Sequence, residues 1–298
     1  MNAMIAAQFL PHVRRNEPMS EHTSWRAGGP AEYFYTPADR AELASFLHEL
    51  PPEVPVLWVG LGSNLLVRDG GIAGVVICTQ GAFTRLEHAA EHLVHCEAGV
   101  PCAQLARRAG SWGLGQADFF AGIPGTLGGA LAMNAGAYGG ETWKHVRSVE
   151  VINRAGELRT RAAGEYQPAY RHVGRPANDE WFLAAELHFD RRTPEEAGAI
   201  RALAQRRKQT QPLGERSCGS VFTNPPGDHA ARLIEAAGLK GHRIGDAVVA
   251  EKHANFIIND GAATGNDIER LILHVQATVE RVHGVHLVPE VRIVGKEV

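Results

Sequence analysis

Short apolar runs separated by glycine, asparagine and charged residues dominate the pattern of this chain, and such runs predict β-strands. They are PVLWVG, LLV, GVVICT, LVHCEAGV, VRSVEVIN, WFLAAELHF, SCGSVFTN, HANFIIN and HLVPEVRIV. Helix-end signals predict helices that begin at the capped start of residues 36–39, at the capping box of residues 193–196, at Asp228 and after Thr264, the last ending at Gly284. Strands and helices alternate without a regular βαβ rhythm, so the pattern predicts an α+β architecture in three parts rather than a doubly wound sheet.

The stretch AGIPGTLGGALAMNAGAYGG, residues 121–140, fits neither kind of element. It is too rich in glycine for a stable independent helix and too apolar for a solvated loop. Small residues let a flat aromatic ring or a pyrophosphate lie against the main chain. A ligand contact is therefore one interpretation of this stretch, and a tightly packed crossing in the core is the other.

A second glycine-rich turn, GLGSNLLV at residues 60–67, directly follows an apolar strand. Successive backbone N–H groups in such a turn can surround a phosphate, although a structural hairpin explains the turn alone equally well. The turn matches neither G-x-G-x-x-G before a helix nor the phosphate-binding loop G-x-x-x-x-G-K-[ST]. Two glycine-rich sites of phosphate size favour a dinucleotide-like ligand over a mononucleotide.

The composition excludes several classes of protein. The chain has 298 residues, enough for two or three domains, and its net charge of −3, from 30 Lys+Arg and 33 Asp+Glu, gives no attraction for nucleic acid or anionic membrane. No apolar run approaches the length of a membrane span, and MNAMIAAQFLPHVRRN places its charges after its apolar stretch, unlike a secretory signal. The cysteines form no C-x-x-C pair, which favours structural thiols in a reducing cytoplasm: Cys78, Cys96, Cys102 and Cys218.

Glutamate and histidine cluster at residues 87–95, where the pattern E-H-x-x-E-H-x-x-H has the spacing of metal ligands on a helix. However, residues 83–86 and 93–96 predict two strands joined by a turn, on which these side chains do not converge. Solvated histidines are the favoured interpretation, and no metal site is predicted.

Three polar residues are candidates for acid–base chemistry or anion binding. Ser220 follows Gly219 in a predicted strand and lies outside a G-x-S-x-G elbow, so it is a weak proton donor or a structural residue. Glu290 follows Pro289 in an apolar strand, where a carboxylate either faces solvent on an edge or is buried for use. Arg171 suits a carboxylate, but it is an ordinary surface arginine unless it faces an anion.

Eight blocks, in this order, resemble the UDP-N-acetylenolpyruvoylglucosamine reductase family and extend over nearly the whole chain. They are HTSWRAGGPAEYF (22–34), GLGSNLLVRDGG (60–71), EAGV (97–100), AGIPGTLGGALAMNAGAYGGE (121–141), SCGSVFTNP (217–225), LIEAAGLKG (233–241), EKHANFIIN (251–259) and PEVRIVG (289–295). The resemblance implies an FAD-binding domain of the vanillyl-alcohol-oxidase (PCMH) type in two lobes, residues 1–75 and 76–208, and a smaller α+β substrate domain, residues 209–298. The implied division also allows the last strand of the substrate domain to lie next to the first lobe.

The same resemblance implies the chemistry. The family reduces the enolpyruvyl ether of a UDP-sugar in peptidoglycan precursor synthesis, with NADPH as the hydride donor and FAD as the carrier. The small-molecule UDP-sugar and NADPH are therefore the implied partners, and no obligate protein partner is implied. The residues expected to hold FAD are Gly60, Gly62, Ser63, Asn64, Leu65, Ile123, Pro124, Gly125, Thr126, Gly128, Gly129, Asn134, Ala135 and Gly136.

The three polar candidates acquire roles from this resemblance. Arg171 would neutralise the substrate carboxylate, and Glu290 would polarise the enol system as a protonated donor or through a bridging water. Ser220 would protonate the carbanion that hydride addition leaves. The implied substrate contacts are Tyr138, Asn224 and Lys240, of which the lysine suits the diphosphate.

Two departures from the family pattern matter. The interval between Arg171 and Ser220 is short, which points to the type II subclass, and Thr223 stands where the family commonly has lysine. The second departure leaves details of substrate or NADPH binding open. Two rival interpretations are another FAD oxidoreductase of this fold, acting on an alcohol or sugar, and a catalytically inactive flavin-binding protein.

Overall fold

The computed structural model describes residues 5–193 and 198–298. In that part of the chain the α-helices are α1 (Arg40–Glu49), α2 (Cys102–Ser111), α3 (Leu127–Met133), α4 (Ala199–Thr210), α5 (Ala230–Ala236) and α6 (Gly265–His283). The strands are β1 (Val13–Pro18), β2 (Pro30–Tyr35), β3 (Val56–Val59), β4 (Leu65–Val67), β5 (Ile72–Cys78), β6 (Leu86–Ala90), β7 (Leu93–Glu97), β8 (Gly136–Ala137), β9 (Gly140–Glu141), β10 (Val146–Asn153), β11 (Leu158–Ala162), β12 (Gln167–Ala169), β13 (His172–Gly174), β14 (Glu180–His188), β15 (Arg243–Ile244), β16 (Ala247–Val249), β17 (Ile257–Asn259) and β18 (Arg292–Val294). Among the described residues, no helix has the length and apolar character that a membrane span requires.

Packing divides the chain into two compact units. The first unit contains the described residues of the ranges 1–14, 33–60 and 74–206, and the second unit contains residues 15–32, 61–73 and 207–298. These packing units are interleaved along the chain, whereas the predicted lobes and substrate domain are consecutive segments. That three-part domain division stays a prediction.

Helix α1 and strands β2 and β5 share a hydrophobic core in the first unit. The helix begins at Arg40 because Asp39 is its N-cap, with Asp39 Oδ1 accepting from Glu42 N at 2.8 Å. The predicted helix start at residues 36–39 is therefore displaced, and its proline lies before the helix. The sheet to which β2 and β5 belong has the order β1-β2-β5-β3, with β3 and β5 parallel.

The second core of the first unit lies against a five-stranded antiparallel sheet of order β11-β10-β14-β7-β6. The predicted hairpin is confirmed as β6 and β7, but its first strand is Leu86–Ala90 rather than residues 83–86. Two helices in this core, α2 and α3, are not among the predicted ones, although the buried residues of α2 have helical spacing: Cys102, Leu105, Ala106 and Ala109. Residues 121–140 are too rich in glycine for a stable independent helix, yet residues 127–133 form α3 because tertiary burial of three of its residues supplies what propensity lacks: Leu127, Ala130 and Leu131.

Helix α6 organises the core of the second unit, and both of its predicted ends are confirmed. Thr264 Oγ1 accepts from Asp267 N at 3.0 Å, and Gly284 ends the helix with φ of 66°. The predicted apolar stripe is buried: Ile268, Leu271, Ile272, Val275 and Val279. Helix α5 begins at Ala230 rather than at the predicted Asp228, whose carboxylate instead accepts from His229 N.

Residues 61–73 belong to the second unit because they are bonded to its C-terminal part. Strand β4 pairs in parallel with β18, so the last strand returns to a segment near the N-terminus of the chain. Asp69 accepts from the backbone N–H groups of Gly265 and Asn266, both at 2.8 Å, at the start of α6. Arg68 forms an ion pair with Glu269 at 2.7 Å. These contacts fix the turn of residues 60–67 relative to α6.

Candidate active site

Two extended segments of the second unit, residues 220–223 and 288–290, lie side by side. Glu290 N donates to Val221 O at 2.7 Å, and Phe222 faces Pro289 in an isolated antiparallel bridge. Ser220 directly precedes Val221. The structure therefore brings the predicted proton donor and the predicted carboxylate onto paired main-chain segments, which are called the paired segments below.

Neither of the paired segments forms the strand that the apolar pattern predicts. SCGSVFTN has irregular backbone in which Gly219 adopts a φ of 73°, and the final strand begins only at Arg292, after Glu290. The left-handed glycine turns the chain before Ser220, and Pro289 has no N–H to donate to a ladder. The predictions that Ser220 and Glu290 lie within strands are wrong.

A buried asparagine holds the main chain immediately after Ser220. Asn255, 3% exposed, accepts from Phe222 N through Oδ1 at 3.0 Å and donates from Nδ2 to Phe222 O at 2.8 Å. Its own carbonyl accepts from Val221 N at 2.9 Å. Sequence reasoning missed Asn255; the available signal was an asparagine between Ala254 and the apolar run FII of a predicted strand.

The turn of residues 60–67 anchors both paired segments. Cys218, two positions before the predicted proton donor, directs its thiol to the carbonyls of Gly62 and Leu65, each at 3.6 Å. Burial raises the pKa of the Cys218 thiol to about 12, so it stays a neutral donor at physiological pH. Asn64 Nδ2 donates to Glu290 O at 3.0 Å. Part of the turn predicted to hold FAD therefore also positions the predicted catalytic residues.

In the first unit, the glycine-rich stretch makes two left-handed turns. Helix α3 ends at Asn134, whose φ is 48°, and the hairpin of β8 and β9 turns at Tyr138 and Gly139, with φ of 54° and 86°. Positive φ at both central residues is the geometry of a type I′ hairpin turn. Asn134 Nδ2 donates to Ala169 O at 3.0 Å, which ties the stretch to strand β12.

Arg171 contacts the glycine-rich stretch from a different part of the chain. It occupies the turn between β12 and β13 with φ of 56°, and its Nη2 donates to Gly136 O at 3.0 Å. The structure thus brings the predicted countercharge next to residues predicted to contact the cofactor.

The two glycine-rich stretches also meet at one point in the first unit. A Cβ atom at Gly60 would lie 2.4 Å from Thr126 Oγ1, so this approach requires glycine. Thr126 is 1% exposed, and among the described residues its hydroxyl has no hydrogen-bond partner. An unpaired buried hydroxyl costs roughly 1–3 kcal/mol, so a polar atom of a bound ligand would gain a hydrogen-bond partner here.

The three predicted substrate contacts have partners within their own units. Asn224 Oδ1 accepts from the first N–H of α5 at 3.1 Å, and Lys240 Nζ lies 2.7 Å from the carboxylate of Glu235. Tyr138, 37% exposed, donates its hydroxyl to Leu203 O at 3.2 Å. Their roles toward a substrate stay predictions.

Known proteins resemble this chain along nearly its whole length. A profile described as the C-terminal domain of UDP-N-acetylenolpyruvoylglucosamine reductase matches residues 211–294, and one described as an FAD binding domain matches residues 31–161. The UDP-N-acetylenolpyruvoylglucosamine reductase of Alkalilimnicola ehrlichii is 59% identical over 288 residues, which are 95% of each chain. The chain belongs to this reductase family. The family member from Methylococcus capsulatus is 56% identical and covers 94% of this chain and 92% of its own.

A solved structure of the reductase family has the same fold. The crystal structure of the UDP-N-acetylenolpyruvylglucosamine reductase of Thermus caldophilus aligns with a TM-score of 0.81 at 31% identity, covering 94% of this chain and 97% of that one. The α+β class and the FAD-binding fold of the PCMH type are therefore confirmed. The N-terminal part of this reductase carries an FAD-binding domain.

The residues around Thr126 fit the cofactor of the reductase family. The Thr126 hydroxyl, which is buried against Gly60 and has no hydrogen-bond partner in the part of the chain that the structure describes, suits a phosphate or ring atom of FAD. The predicted FAD and active-site residues of the first unit are Gly60, Ile123, Pro124, Gly125, Thr126, Gly128, Gly129, Asn134, Ala135, Gly136, Tyr138 and Arg171. Those of the second unit are Gly62, Ser63, Asn64, Leu65, Ser220, Asn224, Lys240 and Glu290.

Proposed function

We propose that this chain reduces UDP-N-acetylenolpyruvoylglucosamine to UDP-N-acetylmuramate, with NADPH as the hydride donor and bound FAD as the carrier. The observation that carries the proposal is 59% identity over 95% of the chain to a reductase of that name. The pairing of the Ser220 and Glu290 segments supports it, because this reaction needs a proton donor and a polarising group near one substrate carbon. The product is a precursor of peptidoglycan.

The proton balance gives Ser220 its role. When bound, FAD would supply the hydride, obtained from NADPH, to the terminal vinyl carbon of the substrate. The electron pair of the double bond then resides on the adjacent carbon and is delocalised into the carboxylate. Ser220 donates its hydroxyl proton to that carbon, which forms the second new C–H bond and is feasible because a carbanion is a strong base. One NADPH and one proton are consumed for each double bond reduced.

Arg171 and Glu290 stabilise the charge that develops before the proton arrives. A guanidinium has five N–H donors in a planar fork, so it can bind a carboxylate bidentately while one N–H donates to Gly136 O. Glu290 acts as a protonated donor or through a bridging water, since a bare carboxylate would repel the substrate's own. Its position is set by its main-chain bonds to Val221 and Asn64.

The buried cysteines support a cytoplasmic location. In the described residues all are free thiols: Cys78, Cys96, Cys102 and Cys218. Burial raises the pKa of each, so they resist oxidation and metal binding. Free thiols of this kind are typical of a reducing compartment.

A single anaerobic titration tests the proposed function. The visible flavin bands of the purified holoenzyme should bleach when NADPH is added and return when UDP-N-acetylenolpyruvoylglucosamine follows. UDP-N-acetylglucosamine, which lacks the enolpyruvyl group, is the control that should leave the bands bleached. Bands that bleach but do not return with the enolpyruvyl substrate would point to another flavin oxidoreductase, and a protein that binds no FAD would overturn the proposal.

A further inference from the structure

Three side chains with metal-ligand atoms converge in the first unit, where the turn between β6 and β7 meets the end of β14. Each of His92, His188 and Asp190 offers one ligand atom, and these atoms all lie within 4.8 Å of one another. Strand β14 pairs with β7 so that His188 lies opposite Leu93, which places it beside the turn. The residues come from two distant parts of the chain, so no spacing in the sequence indicates the group.

The histidine motif of residues 87–95 contributes only one member to this group. His88 stacks on Trp112, with ring centroids 5.4 Å apart, and its Nε2 lies 3.3 Å from Glu91 O. His95 has its Nδ1 3.9 Å from the carboxylate of Glu186. The motif therefore does not converge on itself, in agreement with the hairpin, but the strand pairing gives His92 a different set of neighbours.

His92 is oriented as metal-binding histidines usually are. Its Nδ1 lies 3.0 Å from Phe189 O, and because a carbonyl only accepts, Nδ1 carries the proton and Nε2 carries the lone pair. Phe189 N donates to His92 O at 2.9 Å, which fixes the same residue through its main chain. The His92 and His188 rings stack at 5.5 Å with an angle of 28° between them.

The carboxylate of the group is held in a similar way. Gln116 Nε2 donates to Asp190 Oδ2 at 3.0 Å, which orients the carboxylate. The neighbouring Arg191 is paired with Glu91 at 2.6 Å, so the positive charge beside the group is offset. Two imidazoles and one carboxylate make up the donor set.

We propose that His92, His188 and Asp190 bind a divalent zinc ion, with water completing the coordination. Two imidazoles and a carboxylate are a donor set that zinc prefers, and three protein ligands plus water is a common arrangement around it. Ligand atoms around tetrahedral zinc lie about 3.3 Å apart, so rotations of partly exposed side chains suffice to close the group. The ion would link the β6–β7 turn to the end of β14 and stabilise the first unit.

Isothermal titration of chelator-treated, tag-free holoenzyme with zinc chloride tests this proposal. We expect about one equivalent of zinc, an unfolding temperature that rises with zinc concentration, and X-ray absorption at the zinc edge showing imidazole ligands. His92→Gln and His188→Gln should each weaken binding at least about tenfold, and Asp190→Asn should weaken it less. The flavin spectrum of each variant reports whether it is folded.

Matched variants separate this group from other histidines. His88→Gln, in the same hairpin, should leave zinc affinity unchanged. His22, which lies with Glu17 and Glu21 in a second group of potential ligands, provides the other control. Binding that His22→Gln abolishes and His92→Gln does not, or the absence of stoichiometric binding, would overturn the proposal. If His92→Gln does not fold, Asp190→Asn provides the same test at an exposed position.

Discussion

The segment around Ser220 and the glycine-rich stretch around Thr126 differ in whether their polar groups find hydrogen-bond partners in the described part of the chain. After Ser220, the Asn255 side chain bonds both the N–H and the carbonyl of Phe222, and the Asn255 carbonyl accepts from Val221 N, so the chain itself fixes this segment. At Thr126, an adjoining glycine admits close approach, and the hydroxyl has no partner among the described residues. The difference fits the proposed roles of the two regions, because a proton donor requires a fixed position, whereas a cofactor requires open main chain and a polar group that it can bond.

The sharpest test of the first half of this comparison is Ser220→Ala. NADPH should still bleach the flavin, because the hydroxyl has no role in that step, but reoxidation by the enolpyruvyl substrate should slow by about 10³-fold. Stopped-flow absorbance of each half-reaction measures both rates. Ser217→Ala, a nearby half-buried serine, is the control and should behave as the wild type. Reoxidation of the Ser220 variant near the wild-type rate would show that another group supplies the proton.

Glu290→Gln should have the next largest effect. The main-chain bonds of Glu290 to Val221 and Asn64 do not use its carboxyl group, so the paired segments should keep their geometry. Reoxidation should slow by about 10²-fold while reduction by NADPH is unchanged, again by stopped flow. A variant that cannot be reduced by NADPH would contradict the role proposed for this carboxyl group.

Asn255→Ala tests whether the rate of reoxidation depends on the position of Ser220 and not only on its hydroxyl group. Loss of two hydrogen bonds should lower the free energy of unfolding by roughly 1–3 kcal/mol and slow reoxidation by about tenfold. Asn259→Ala is the matched control, because Asn259 is also buried in the second unit and donates to Trp25 O at 2.8 Å. It should lose similar stability in urea titration without slowing reoxidation. If reoxidation slowed equally in the two variants, Asn255 would have a purely structural role.

Thr126→Val tests the other half of the comparison and should have the smallest effect. Because the hydroxyl has no protein partner in the described residues, the apoprotein should keep its stability, whereas FAD affinity should fall about 5- to 10-fold. Thr142→Val is the contrast: Thr142 Oγ1 donates to Ala135 O at 2.7 Å, so its loss should cost the apoprotein about 1 kcal/mol. FAD titration and urea denaturation measure the two quantities. Unchanged FAD affinity in the Thr126 variant would remove this hydroxyl from the cofactor site.

Local signals in the sequence predicted the elements whose ends are decided locally. Thr264 and Gly284 mark α6 correctly because an N-cap and a left-handed C-terminal residue act within one turn. Such signals could not predict that the segments of Ser220 and Glu290 pair, since this pairing depends on contacts between distant residues. Asn255 illustrates the same limit: its partner Phe222 is 33 positions away. The order of the eight blocks that resemble the family supplied the family and the roles, whereas the contacts that position those residues required the structure.

The pairing of β4 with β18 has a consequence for how the chain is made. Strand β4 ends at Val67, and its partner begins at Arg292, roughly 225 residues later, which is about 10–45 s of ribosomal synthesis. Asp69 likewise cannot form its hydrogen bonds until the first residues of α6 have been synthesised. Residues 61–73 therefore emerge long before their partners exist, and the second unit can complete its fold only after the last strand has left the ribosome.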